Sequence, residues 1–216
     1  LAGISHDLRT PLTRMRMEIE LSRLDEAEKE SMSSDIERID AIVGKFVEYA
    51  RSGPGERGQS VHEEVDVAAA IDALRRSWLP RIEADEMRLE VGVSAGLRWR
   101  GDPVDLARIV SNLVENSAQH GHAGQTPAQI VLAARQTQDG LLLEVSDRGP
   151  GVPQEQLERL LRPFARVGDE RSGSGGSGLG LAIVQRLAHR HGGRCSLRNR
   201  AGGGLVASVM LPDAPS

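Results

Sequence analysis

Four groups of residues have the types and spacing that chemistry needs. His6 is followed by Asp7, with Thr10 and Pro11 one helical turn further on. Apolar residues at Ile4, Leu8, Leu12, Met15 and Ile19 form a helical stripe. At roughly 100° per residue, His6 points away from that stripe and is free to react. Taken alone, it also reads as an ordinary solvated histidine. Pro11 removes a backbone donor, so a kink is expected just after His6. The chain has three asparagines, and two of them, Asn112 and Asn116, stand four apart. On a helix the two amides share a face, and their oxygens are hard donors suited to a hydrated magnesium ion. Surface amides satisfied by water are the plain alternative.

The third group is Asp147-Arg148-Gly149-Pro150-Gly151, directly after the apolar run Leu141–Val145. A carboxylate at a strand end can accept a hydrogen bond from an exocyclic amine. The glycines let a flat ligand approach the backbone. A simple turn has the same composition. The fourth group is Gly173-Ser174-Gly175-Gly176-Ser177-Gly178-Leu179-Gly180-Leu181, which runs into a patterned helix. Exposed N–H groups and a helix N-terminus make a phosphate cradle. No Gly-Lys-Ser/Thr follows, so it is not a Walker loop, and no clear strand precedes it as a dinucleotide fold requires. A flexible linker is the alternative, but linkers do not lead straight into patterned helices.

These groups need positioning elements. One helix is expected to about Leu24, and Asp25 and Glu26 can cap a second. In the second, Met32, Ile36, Ile39, Val43, Phe46 and Ala50 form a heptad seam. Such a hairpin leaves apolar surface wet and is expected to pair with a copy of itself as a dimeric four-helix bundle. An intrachain bundle is the alternative. Residues 53–60 hold Gly53, Pro54, Gly55 and Gly58 and read as a linker. The expected organisation is therefore 1–52 hairpin, 53–60 linker and 61–216 second domain. In the latter, helices are expected at Val67–Glu83, at Pro103–His120 under an Asp102 cap, near Gln154–Leu161 and from Leu179 to about His191. Strands are expected at Arg88–Val93, Leu97–Arg100, Ile130–Arg135, Leu141–Ser146, Cys195–Arg198 and Leu205–Leu211. The class is α+β, with an α/β sandwich carrying a mixed sheet.

Composition narrows the function. The 216 residues are 39% hydrophobic but only 2% aromatic, so the core is aliphatic. A net charge of -4 argues against nucleic acid as a partner. Cys195 is the one cysteine, which excludes an intrachain disulfide and fits a reducing compartment. No apolar run approaches the roughly 20 residues of a membrane span, so direct membrane contact is not expected. The chain opens inside a helical pattern without a cap, as a piece of a longer protein would.

In this order, His-Asp-x-x-Thr-Pro, Asn-x-x-x-Asn, Asp-x-Gly-x-Gly, Phe and Gly-x-Gly-Leu-Gly-Leu resemble the sensor histidine kinases of two-component systems. The resemblance covers nearly the whole chain. Ser5–Arg14 and Phe46–Arg51 look especially like the EnvZ osmosensor subgroup. The resemblance implies a homodimeric core that binds ATP and Mg²⁺, phosphorylates His6 and passes the phosphoryl group to an aspartate of a cognate response regulator. It also implies the cytoplasmic portion of a bacterial inner-membrane receptor. Asp7 would polarise or deprotonate the imidazole, and Thr10 would place a water for dephosphorylating the regulator. Asn116 would hold Mg²⁺, with Asn112 near the phosphates. Asp147 would read the adenine amine, while Gly149 and Gly151 make room for the ring. Phe164 would mark the start of the ATP lid, and Gly176, Gly178 and Gly180 would cradle phosphate. Many family members carry Lys-Tyr where this chain has Gln119 and His120. Arg166 or Arg171 of the lid could replace the missing charge, or ATP affinity is lower. His120 reads equally as a ligand residue or as a helix C-cap. Other readings of the chain are a protein that mainly dephosphorylates the regulator and a nucleotide-binding scaffold without chemistry.

Overall fold

The computed structural model describes residues 2–53, 62–122, 127–167 and 176–214, and for residues 2–8 the backbone alone. The chain divides into two units, Leu1–Ser52 and Gly53–Ser216.

The first unit is a helical hairpin of α1 (Ala2–Glu20) and α2 (Glu26–Arg51). Helix α1 stops one turn short of the expected Leu24, where the Ser22 hydroxyl donates to Ile19 O at 2.6 Å. Its helical assignment runs through Pro11 without interruption. Asp25 caps α2 as expected. Its side chain accepts from Glu28 N at 2.8 Å, and the Glu28 carboxylate accepts from Asp25 N at 3.2 Å. The α2 stripe is wider than one helix can cover. Ile36 and Val47 are buried within the hairpin with Ile19 of α1, while Met32, Ile39, Ile42 and Phe46 stay exposed.

The second unit begins with β1 (Glu63–Asp66) and α3 (Val67–Glu83), then β2 (Met87–Val93), β3 (Arg98–Gly101) and α4 (Pro103–His120). It continues with β4 (Ala128–Thr137), β5 (Gly140–Ser146), α5 (Gly180–Arg190), β6 (Arg194–Asn199) and β7 (Leu205–Leu211). Five strands form one sheet in the order β2-β4-β5-β7-β6, with β2 and β4 parallel and the other pairs antiparallel. This is the expected mixed sheet. Leu106, Ile109, Val110, Leu113 and Val114 of α4 are at most 1% exposed, as are Ile183, Val184 and Leu187 of α5. They pack with Leu132, Leu141, Leu143 and Val209 of the strands in one aliphatic layer.

Two expectations change. The strand near Arg98 does not join the main sheet but pairs antiparallel with β1, a strand the periodicity did not suggest. Four residues, Glu63–Asp66, are too short to show alternation. The helix expected near Gln154–Leu161 is two 3-10 turns, Gln154–Gln156 and Arg159–Leu161. Its buried residues, Leu157 and Leu160, are three apart, which matches three residues per turn. Pro163 then forces Arg162 to extended backbone (φ -84, ψ 148) and ends the segment.

Candidate functional site

The candidate site is built where β5, the end of α4, the turn before β7 and the start of α5 converge. Asp147 leaves β5 and is 5% exposed. Its Oδ1 accepts from Gly149 N at 2.9 Å and from Leu205 N at 3.0 Å. Its Oδ2 accepts from the Ser117 hydroxyl of α4 at 3.4 Å. Asp147 N in turn donates to Leu205 O at 3.0 Å. The carboxylate is thus fixed in orientation by backbone donors, with Oδ2 the less occupied oxygen.

The glycines around it are where they are because protein comes close. A Cβ on Gly149 would lie 2.8 Å from His120 O, at the end of α4. A Cβ on Gly204 would lie 2.1 Å from Asp147 O, and Gly204 has φ +101. Gly151 has φ +75, and a Cβ there would lie 2.9 Å from Asn199 Oδ1. The room left by Gly149 and Gly151 is used in this structure by the α4 terminus and by Asn199.

The glycine run ends at α5. Helices α2, α3 and α4 are each capped by an aspartate side chain, Asp25, Asp66 and Asp102. Among the described residues no side chain caps helix α5, whose first N–H groups have no acceptor within the helix itself. Gly180 opens it against Asn112, whose Oδ1 lies 3.4 Å from where a Cβ would be. Asn112 is buried, and its amide donates to Arg108 O at 2.9 Å. Asn116, one turn on, is half-buried. Phe164 (φ 63) and Gly178 (φ 67) both adopt left-handed backbone, and Phe164 N donates to Gly178 O at 2.9 Å. Residues 168–175 lie between them in sequence, outside the described residues, and Arg171 with them. A Cβ on Gly176 would lie 2.7 Å from Gln119 Oε1, so the side chain at the departing position touches the glycine run.

Among the described residues, no three His, Cys, Asp or Glu side chains are grouped to hold a metal ion. A divalent ion here would have to arrive with phosphate and find neutral amide oxygen such as that of Asn116. That donor set fits Mg²⁺, which keeps most of its waters.

A model of the histidine kinase-, DNA gyrase B- and HSP90-like ATPases matches residues 101–215, more than half of the chain. The chain belongs to this ATPase family. Residues 1–55 match the His Kinase A (phospho-acceptor) domain, and the two segments in this order are those of the sensor histidine kinases. The sensor histidine kinase GtrS of Pseudomonas aeruginosa is 33% identical over 211 residues, covering 98% of this chain and 41% of that protein. The signal transduction histidine-protein kinase/phosphatase MprB of Mycobacterium avium is 34% identical over 231 residues, covering 97% and 42%. The chain therefore spans about two fifths of the length of these curated relatives. Among solved structures, full-length ShkA in complex with AMPPNP superposes with a TM-score of 0.75 at 26% identity, over 100% of this chain and 46% of that one. The histidine kinase AdeS of Acinetobacter baumannii shares the fold, with a TM-score of 0.71 at 19% identity, over 97% and 98%.

In this member of the family, the second unit brings Asn112, Asn116, His120, Asp147, Gly149, Gly151, Gly178 and Gly180 to one end of α4 and α5. His6 and Asp7 lie in α1, in the other unit, and their side chains are outside the described residues. Thr10 is exposed on the same helix. Arg166 sits just past Phe164, at the edge of the described segment. Two site neighbours were not suggested by the motifs. Ser117 gives no signal beyond its place between Asn116 and Gln119. Asn199, the third asparagine, ends a strand 47 residues from Val152, with which it pairs. Cys195 of β6 takes no part. Cys195 is half-buried, and desolvation pushes its thiol up to about 12.

Proposed function

We propose that this chain is the catalytic core of a two-component sensor kinase, which transfers the γ-phosphoryl group of ATP to His6. The observation that carries the reading is a fixed carboxylate, Asp147, at one end of α4 and an uncapped helix N-terminus at α5 beside it. One recognises an exocyclic amine, and the other favours phosphate. Asn112 and Asn116 line the space toward that terminus, and Asn116 supplies the amide oxygen for Mg²⁺, which would neutralise phosphate charge. Gly176, Gly178 and Gly180 give the phosphates access to backbone N–H groups. Phe164, Arg166 and Arg171 belong to the lid, and the arginines supply positive charge that Gln119 does not. His120 takes the place of the family tyrosine at the end of α4.

The transfer breaks the bond from the γ-phosphorus to its bridging oxygen and forms a phosphorus–nitrogen bond to His6. ADP leaves, and Asp7 takes the imidazole proton. Positioning and charge neutralisation supply most of the catalysis in such reactions. The phosphoryl group then passes to an aspartate of a response regulator. Thr10, one turn beyond His6, places a water that hydrolyses the regulator's phosphoaspartate to aspartate and inorganic phosphate, and the relative MprB is named a kinase/phosphatase. The hairpin dimerises through the face carrying Met15, Met32, Ile39, Ile42 and Phe46, each more than 40% exposed in the single chain. The domain division 1–52, 53–60 and 61–216 follows these roles. No helix among the described residues is long and apolar enough to cross a membrane, and a membrane-anchored sensor would lie in the rest of a longer protein. The test is incubation with Mg²⁺ and ATP labelled at the γ-phosphorus. Acid-labile, alkali-stable label on the chain is expected. Tight ATP binding without label would leave only a nucleotide-binding scaffold.

A further inference from the structure

The turn that follows Asp147 has two limbs. The near limb is held by Asp147 itself, through Gly149 N and Leu205 N. The far limb, Gly151 and Val152, belongs to no helix or strand. Asn199, at the end of β6, reaches across to it. Val152 N donates to Asn199 Oδ1 at 2.9 Å, and Asn199 Nδ2 donates to Val152 O at 2.7 Å. One side-chain amide thus satisfies both backbone groups of one residue, as a neighbouring strand would. Gly151 lets it approach, since a Cβ there would stand 2.9 Å from the same Oδ1. The turn Asn199–Gly204 also returns to Asp147, because Arg200 N donates to Gly204 O at 2.9 Å and Gly204 packs on Asp147 O.

We infer that Asn199 is a positioning residue for base selection: it locks the far limb of the Asp147 turn, so that the carboxylate and the turn meet a nucleobase in one geometry. The inference rests on the ATP-binding reading above. Adenine offers an amine donor where guanine offers a carbonyl oxygen. A fixed carboxylate accepts the first and repels the second, and discrimination of this kind is lost when the site can rearrange. The triphosphate is held elsewhere, at α5. Releasing the far limb therefore weakens base selection more than it weakens phosphate binding.

The test measures dissociation constants for Mg-ATP and Mg-GTP by calorimetry on the whole chain. The parent is expected to prefer ATP. Asn199→Ala removes both hydrogen bonds, and the preference for ATP over GTP should fall at least threefold. Asn199→Asp is isosteric but turns the donor into an oxygen facing Val152 O, and it should compress the preference as well. Asp105→Asn, a substitution in the same unit but at the opposite end of α4, serves as the structural control and should leave the preference unchanged. An unchanged preference in both Asn199 variants overturns the inference. So does equal compression in Asp105→Asn, which would mean that any loss of stability has this effect. A parent that binds neither nucleotide overturns the ATP-binding reading instead.

Discussion

Substituting Asp105 tests how the ATPase unit is held together. Its side chain is 1% exposed, near the N-terminus of α4, and it meets the C-terminal end of α5. Arg190 Nη2 and His191 Nε2 both donate to its Oδ2, the latter at 2.9 Å. Arg108 Nη1 lies 3.8 Å from Oδ1. The His191 ring stacks edge-on to Trp99, with centroids 5.2 Å apart. Asp105→Asn would leave the Arg190 guanidinium, 19% exposed, without its main counter-charge. Removing one partner of a buried pair costs about 3–5 kcal/mol. For a unit of this size, at about 2–4 °C per kcal/mol, the melting temperature should fall by roughly 6–20 °C. Both tryptophans, Trp78 and Trp99, are buried in this unit, so their fluorescence follows its unfolding and not that of the hairpin. The pH dependence gives a second arm. Burial raises the Asp105 carboxyl, but the His191 hydrogen bond and the Arg190 charge outweigh it and hold the group below its usual range. A carboxyl lowered in the folded state contributes its stability above the unfolded value, about 3.9, and loses it as pH falls through the folded value. The gap between parent and variant should therefore be full at pH 7, begin to narrow below about pH 4 and close as pH falls through the lower folded value. A variant that melts within 2 °C of the parent at pH 7 would refute the argument.

Three further outcomes are expected. Asp147→Ala removes the acceptor for Gly149 N and Leu205 N as well as the base contact, so ATP affinity measured by calorimetry should fall at least tenfold; an unchanged affinity would place the base elsewhere. Ile39→Glu and Phe46→Glu put charge on side chains 47% and 45% exposed in the single chain. The helices should survive by circular dichroism while sedimentation shows monomer, and an intact dimer would reject that face. Gln119→Lys adds a cation beside Gly176 and should tighten ATP about tenfold or more, at roughly 1.5–3 kcal/mol for a charge-assisted hydrogen bond; titration showing no change would mean the lid already supplies the charge.

Periodicity made much of this molecule legible. Helix α4 has a strong cap, Asp102-Pro103, and an unbroken apolar stripe, so its bounds, Pro103–His120, match the expectation. Strands β5 and β7 are apolar runs bounded by turns and were placed to within a residue. Patterns failed where segments are short or set by their surroundings. β1 has four residues, and the 3-10 turns depend on Leu157 and Leu160 docking under a proline stop. The α2 seam was legible as apolar, but its division between α1 and open surface was not, because a stripe does not say which neighbour covers it. Asp147 stood out by its motif, whereas its fixed orientation depends on Leu205, 58 residues away. The Asp105, Arg190 and His191 cluster spans a longer separation, 85 and 86 residues, and no local spacing signals it.

The proposed reaction stands on His6 receiving the phosphoryl group from ATP bound by the second unit. The most direct measurement follows label from γ-labelled ATP in parent and His6→Gln protein, with ATP affinity measured on the same samples. Acid-labile label is expected in the parent, none in His6→Gln, and equal affinity in both. Label of undiminished amount in His6→Gln would contradict it.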